Sequence, residues 1–273
     1  MPQDAITLKR TAQELNDFFS GAKINKITQP SQDEIVLFLY SKFGNARLTV
    51  CVNAISARVG ITNLDMQNPA TPPAFCMLLR KHLLNASINS IQTIRDERIV
   101  RIAFDGKNDF MDPVEKELYC EIMGKYSNAV FCENDTILGA LRPVCFDPGK
   151  ERILLSGAKY ALPHSQDKTS LYSQTCTDVL KAFSGGDFAD YIFKNIVGFS
   201  SQTAKEAVFR KYGKTVFEKA IPDPDDFLKF LTSFVDDYAD KACVAVMNEK
   251  PTDYFFCDYK TISGEKILFD HIT

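Results

Sequence analysis

The densest cluster of charged, anion-holding chemistry is Arg95-Asp96-Glu97-Arg98. Two guanidinium donors flank two carboxylate acceptors, which offers both hydrogen-bond polarities, donors for a phosphate and acceptors for a base or ribose edge. The following Val100, Ile102 and Phe104 alternate as the inward face of a strand, and Arg98 shares their parity. A guanidinium in that register is costly unless it is paired or emerges at the sheet's end, as at a binding mouth. An exposed hairpin turn with charged tips accounts for the same four residues.

A second stretch, Ile196-Val197-Gly198-Phe199 followed by Ser200-Ser201-Gln202-Thr203-Ala204-Lys205-Glu206, has the pattern of one half of a helix-hairpin-helix. Gly198 permits a tight turn, and the free N–H groups that open the next helix suit a phosphate. A plain interhelical turn with a glycine at the helix end is the competing reading. The next helix carries Lys205, Arg210, Lys211 and Lys214, a basic face for nucleic acid or simply a solvated one. Arg80-Lys81-His82 follows an apolar run; Arg80 suits a phosphate, and equally suits the helix's last carbonyls or a carboxylate. Gly124-Lys125-Tyr126-Ser127-Asn128 joins two strands, where Lys125 is either a phosphate contact or part of a hairpin loop.

Conventional enzyme chemistry finds no seat. The eight cysteines are scattered singly, none at zinc-knuckle spacing, and His82, His164 and His271 stand apart. No Walker loop, dinucleotide glycine fingerprint or nucleophile elbow is present. The expectation is no enzyme, no catalytic residue, no metal and no cofactor, with the cysteines as reduced thiols.

The elements that must position these groups follow from periodicity. Leu8, Ala12, Leu15 and Phe19 share a helical face, with Thr7 as the expected cap and Gly21 as the stop. Short strand runs at 34–40, 47–53 and 58–62 read as a meander; three prolines at 68–73 precede a helix over 74–84. Strands resume at 86–94, 98–104, 118–123, 128–132 and 136–141. The fold class is α+β: two packed antiparallel sheets over residues 1–165, an all-helical domain over 170–248, and a β-hairpin over 253–273 that returns to the first lobe.

Length and composition set the outer bounds. At 273 residues and 45% apolar the chain is globular and long enough for one large unit and one smaller. No uncharged run approaches a bilayer span, and Met1 to Arg10 lacks a secretory pattern, so a soluble, cytoplasmic protein without membrane contact is expected. Residues 1–160 carry 19 basic and 18 acidic side chains, and the remainder 13 and 17. Neither half is a broad basic field, so nucleic-acid contact must use local patches. The chain stops soon after a Ser263-Gly264 turn, as a piece of something longer would.

Taken together, several stretches resemble one family. Asp4 through Arg10, Gly21 through Pro30, Pro72 through Leu83, Met123 through Asn128, Arg152 through Gly157 and Tyr160 through Pro163 look like the NFACT-N domain. That domain belongs to the bacterial fibronectin-binding protein and ribosome quality-control factor (RqcH) family, relatives of eukaryotic NEMF. The resemblance covers essentially the whole chain, and Phe75 to Leu83 is its most specific part. It implies a lobe like the N-terminal domain of formamidopyrimidine-type DNA glycosylases beside a helix-hairpin-helix domain. It also implies binding of a large ribosomal subunit blocked by peptidyl-tRNA, recruitment of tRNA (alanine tRNA in bacteria), and untemplated alanine tailing of the stalled chain. Longer members add a coiled coil and a further RNA-binding domain, so these residues alone are expected to bind the ribosome weakly.

The family's tRNA-engaging Asp-Arg pair falls on Glu97-Arg98, with Glu in the usual Asp position and Asp96 as an adjacent acceptor. Arg80, Lys125 and Lys205 are the further RNA-contact candidates, and Tyr126 stands where the family often has histidine. Two other function classes follow from the same resemblance. A glycosylase would use an N-terminal proline amine beside a glutamate; here Pro2 is followed by Gln3, which has no carboxylate. A surface-displayed adhesin would bind fibronectin.

Overall fold

The structure, a computed structural model, describes residues 3–94, 96–107, 112–145, 152–164, 167–236, 241–247 and 249–273. Its first helix, α1 (Ala5–Phe19), is capped by Asp4, whose Oδ1 accepts from the Thr7 backbone N–H at 2.8 Å. Asp4 therefore takes the role expected of Thr7, because the cap must precede the amide it satisfies. Gly21, at φ +81°, turns the chain out of the helix.

Two meanders follow. The first runs β1 (Lys23–Ser31), β2 (Glu34–Ser41), β3 (Gly44–Cys51) and β4 (Arg58–Ile61); after helix α2 (Ala74–Leu83), the second runs β5 (Ser87–Thr93), β6 (Ile99–Lys107), β7 (Pro113–Glu121), β8 (Asn128–Glu133) and β9 (Thr136–Ala140). They were expected as two sheets. Among the described residues they form one nine-stranded antiparallel sheet, ordered β4-β3-β2-β1-β5-β6-β7-β8-β9. The seam is short, with Lys23 opposite Ser87 as its register pair. It forms because α2 returns the chain beside β1, where Ile24 N–H donates to Ala86 and Asn85 N–H to Ile24, both at 2.9 Å.

Both wings share one core. Leu8, Leu15 and Phe19 of α1 and Leu79 and Leu83 of α2 pack with Ile24, Leu37, Leu48, Ile102, Phe104 and Phe131 of the strands. The opposite face of the second wing is also covered: Ile99, Tyr119, Val130, Cys132 and Ile137 pack with Leu154.

The second lobe holds α3 (Cys176–Lys181), α4 (Phe188–Asn195), α5 (Ser201–Tyr212) and α6 (Pro224–Asp236). It is not all-helical. Gly186–Asp187 (β10) pairs with Val216–Phe217 (β11), and Ala242–Met247 forms a strand, β12. Nor does the last segment return to the large sheet, since β13 (Lys250–Phe255) and β14 (Glu265–Phe269) flank β12 on either side. The reason is burial: Cys243, Ala245 and Phe255 from this small sheet share a core with Phe188, Phe227 and Phe234 of the helices. The segment meets the first lobe through side chains instead, Ile6 of α1 sharing the core of Phe255 and Tyr259, and at the chain's end the Ile272 N–H donates to Glu14 Oε2 at 2.9 Å. Among the described residues no helix is long and apolar enough to cross a membrane.

Candidate functional site

A cleft of about 580 Å³ runs between the lobes. Its walls are the start of α1, the β5–β6 turn, Lys168 from the connector between the lobes, the α4–α5 turn, and β13. The β5–β6 turn is tightly closed: Glu97 N–H donates to the Ile94 carbonyl at 3.1 Å and Ile94 N–H to Ile99 at 3.0 Å. Arg98 is the last residue before β6, and its carbonyl is pinned by Ile122 N–H at 2.8 Å. The inward-parity guanidinium thus leaves at the sheet's end and lines the cleft. Among the described residues it has no hydrogen-bond or ion-pair partner.

The other residues of that cluster differ. Asp96 Oδ2 accepts from the Ser170 hydroxyl, which ties the turn to the interlobe connector. Glu97 lines the cleft, half-buried, and is engaged with a neighbour. Arg95 lies outside the described residues.

Gly198 sits at φ +95°, a conformation that favours glycine, and a Cβ there would stand 3.5 Å from the Asp96 carbonyl oxygen and 3.7 Å from Ala5 Cβ. The first lobe therefore packs against one side of this turn, while Gly198 and Ser200 also line the cleft. Ser200 caps α5 by accepting from Thr203 N–H at 3.1 Å. The Thr203 hydroxyl in turn donates to Asp4. One carboxylate thus serves the positive ends of α1 and α5 together, so the opening of α5 already faces a negative charge instead of waiting for a phosphate.

Arg80, Lys125 and Lys205 do not line the cleft. Arg80 Nε donates to the Ile27 carbonyl at 2.8 Å and fastens α2 to β1, the structural role that competed with phosphate contact. Lys125 is exposed in a 3-10 turn, its ammonium 4.9 Å from the Tyr126 ring. Lys205 is exposed on α5. Its expected basic companions are largely spent: Arg210 pairs with Glu206 and Lys211 with Asp226, both at 2.5 Å.

Lys168 was not found from the sequence, since it stands in irregular chain without periodicity. Its Nζ donates to the Phe193 carbonyl at 2.8 Å and lies 4.7 Å from that ring. Burial, and then the positive charge of Arg98, hold this ammonium below the usual lysine value. On the far wall, burial and the Asp253 and Asp4 carboxylates push the Tyr254 hydroxyl well up, so it stays protonated.

The groups a glycosylase would need are not assembled here. Gln3 is buried, its amide donating to Thr11 Oγ1 at 3.1 Å and accepting from Val59 N–H at 3.3 Å. Pro2 lies outside the described residues. No group of His, Cys, Asp and Glu among the described residues is placed to hold a metal.

Comparison with known proteins agrees with this architecture. Residues 4–272 match the family described as NFACT N-terminal and middle domains. The chain is 33% identical over 214 residues to the Rqc2 homolog RqcH of Bacillus subtilis (strain 168), covering 77% of this chain and 38% of that protein. It is 29% identical over 209 residues to the Rqc2 homolog RqcH of Streptococcus suis (strain 05ZYH33), covering 76% and 38%. The chain thus spans well under half the length of these relatives. Among solved structures, the N-terminal part of the fibronectin/fibrinogen-binding protein from Streptococcus suis superposes with a TM-score of 0.83 at 24% identity, covering 98% of this chain and 95% of that one. At that identity the likeness is one of fold.

Proposed function

This chain belongs to the family of NFACT N-terminal and middle domains, and we propose that it is the tRNA- and large-subunit-engaging part of a ribosome-associated quality-control factor. On this reading it holds tRNA, alanine tRNA by family resemblance, beside a large subunit obstructed by peptidyl-tRNA, and supports untemplated alanine tailing by positioning. Bond formation belongs to the ribosome; the chain itself is not an enzyme. The formamidopyrimidine-glycosylase-like lobe and the helix-hairpin-helix are carried as parts of the same reading.

The observation that supports it is the Arg98 guanidinium at the interlobe cleft, which has no carboxylate partner among the described residues, with Glu97 beside it. Arg98 would clamp phosphate or a base edge, Glu97 would accept a hydrogen bond, and Lys125 and Lys205 would add exposed charge along a strand's path. A charged hydrogen-bonding contact of this kind is worth about 1–3 kcal/mol, so Glu97→Ala with Arg98→Ala should lower tRNA affinity at least roughly tenfold at fixed salt. In a chain extended by the further domains of the longer relatives, recovery of large subunits should persist. Unchanged tRNA capture by the double variant overturns the site.

The name of the superposing structure motivates a second reading, a fibronectin-binding adhesin. Side-by-side pull-downs with tRNA and fibronectin at physiological salt separate the two: retention of fibronectin alone favours the adhesin.

A further inference from the structure

We propose that Arg98 and Lys168 together seat one phosphoryl group of the bound RNA, with Lys168 as a contact residue in its own right. This rests on the tRNA reading above and extends it with the ligand chemistry and a second residue.

The two cations come from different parts of the chain, Arg98 from the β5–β6 turn and Lys168 from the interlobe connector, and both line the cleft. Among the described residues, neither has a carboxylate partner; Lys168 has only the Phe193 carbonyl and ring. The acids of the cleft are occupied elsewhere. Asp4 accepts from Thr7 and Thr203, Asp96 from Ser170, and Asp253 from the Tyr254 N–H at 3.0 Å, while Glu97 has its own neighbour. Two like charges partly withdrawn from water and left without a counter-ion cost free energy. The depressed Lys168 ammonium is the mark of that cost.

A tetrahedral oxyanion removes it. Arg98 offers a planar fork of donors and Lys168 a compact charge, complementary ways to hold phosphate oxygens. The surrounding carboxylates would repel a uniformly anionic duplex face, and together with the neighbouring hydroxyls they suit the bases and riboses of a single strand splayed open beside its phosphate. The phosphoryl group is an internal phosphodiester of an unpaired tRNA segment; the 5′-terminal phosphate, which ends a paired stem, is the other source that the test removes.

The test measures binding of the 273-residue chain to tRNA by fluorescence anisotropy across a salt series. Lys168→Gln should weaken binding roughly three- to tenfold and reduce the slope of log affinity against log salt by about 0.7–0.9, the share of one phosphate contact. Lys168→Arg should keep the wild-type slope. Removing the tRNA 5′-phosphate distinguishes the sources: if the Lys168 dependence vanishes the terminal group is seated, and if it persists an internal one is. With the wild-type chain and ¹³C-labelled lysine, tRNA should raise the Lys168 pKa in NMR titration, a readout that needs no folded variant. A wild-type slope in Lys168→Gln, an equal loss in Lys168→Arg, or no pKa rise overturns the seat. If Arg98→Ala still weakens binding, the tRNA reading survives that result; if neither residue matters, both fall.

Discussion

The outer face of the large sheet and the interlobe cleft take arginines from the same hairpin, yet only the outer face neutralises them. Arg101 Nε pairs with Glu117 at 2.5 Å, and its other donors reach Glu115. Beside it, Arg152 pairs with the buried Glu121 at 2.7 Å; Glu121 also accepts from the Tyr160 hydroxyl at 2.9 Å, and Tyr160 stacks on Tyr119 at 4.0 Å. Three positions before Arg101, Arg98 opens into the cleft with no such partner among the described residues. The contrast separates cations whose charge is consumed in holding the fold from a cation that the described residues leave without a carboxylate.

The largest effect should come from the compensated side. Glu121→Ala strands the Arg152 guanidinium and should cost about 3–5 kcal/mol, read from the denaturant midpoint. Arg98→Ala should change stability by no more than about 0.5 kcal/mol, because it removes no partner. Equal losses from the two would erase the distinction. An intermediate effect is expected where the lobes meet: Gly198→Ala forces an L residue to φ +95° and should cost about 1–3 kcal/mol in thermal or denaturant unfolding.

The smallest effect is a pH dependence at the rim of the sheet. The Arg142 hydrogen bond, followed by one from Asn53 and partly opposed by burial, holds the Asp33 carboxyl below its usual 3.8. Because the folded value is depressed, its contribution is present above the unfolded pKa and fades as pH falls through the folded one. Melting temperatures taken down through pH 4 and below should fall less steeply in Arg142→Leu than in the wild type; parallel curves would remove this clasp from the compensated set.

Much of the fold is legible in residue periodicity. Alternation locates β2 through β6, β8 and β9 within about three residues, β7 begins five residues before the run read for it, and the proline run announces α2. β1 escapes because a bulge between Ile24 and Lys26 breaks its alternation, letting Ile24 and Ile27, three apart, both face the core. β12 escapes because Ala242–Met247 follows a long helical pattern, and its sheet exists only through contacts with that helical core. Of the residues that line the cleft, Glu97 and Arg98 are pointed to by the family resemblance, whereas Lys168 has no local signal and reaches the cleft only through the tertiary fold.

The sequence by itself determined the family, most of the first lobe's local elements and the charged turn ahead of β6, because these depend on residues near one another. Tertiary structure alone decided which charges are cancelled. Asp4 meets Thr203 across 199 positions and Asp33 meets Arg142 across 109. Electrostatic compensation acts over ångströms in space, and no spacing along the chain reveals which partners the fold will bring within that reach.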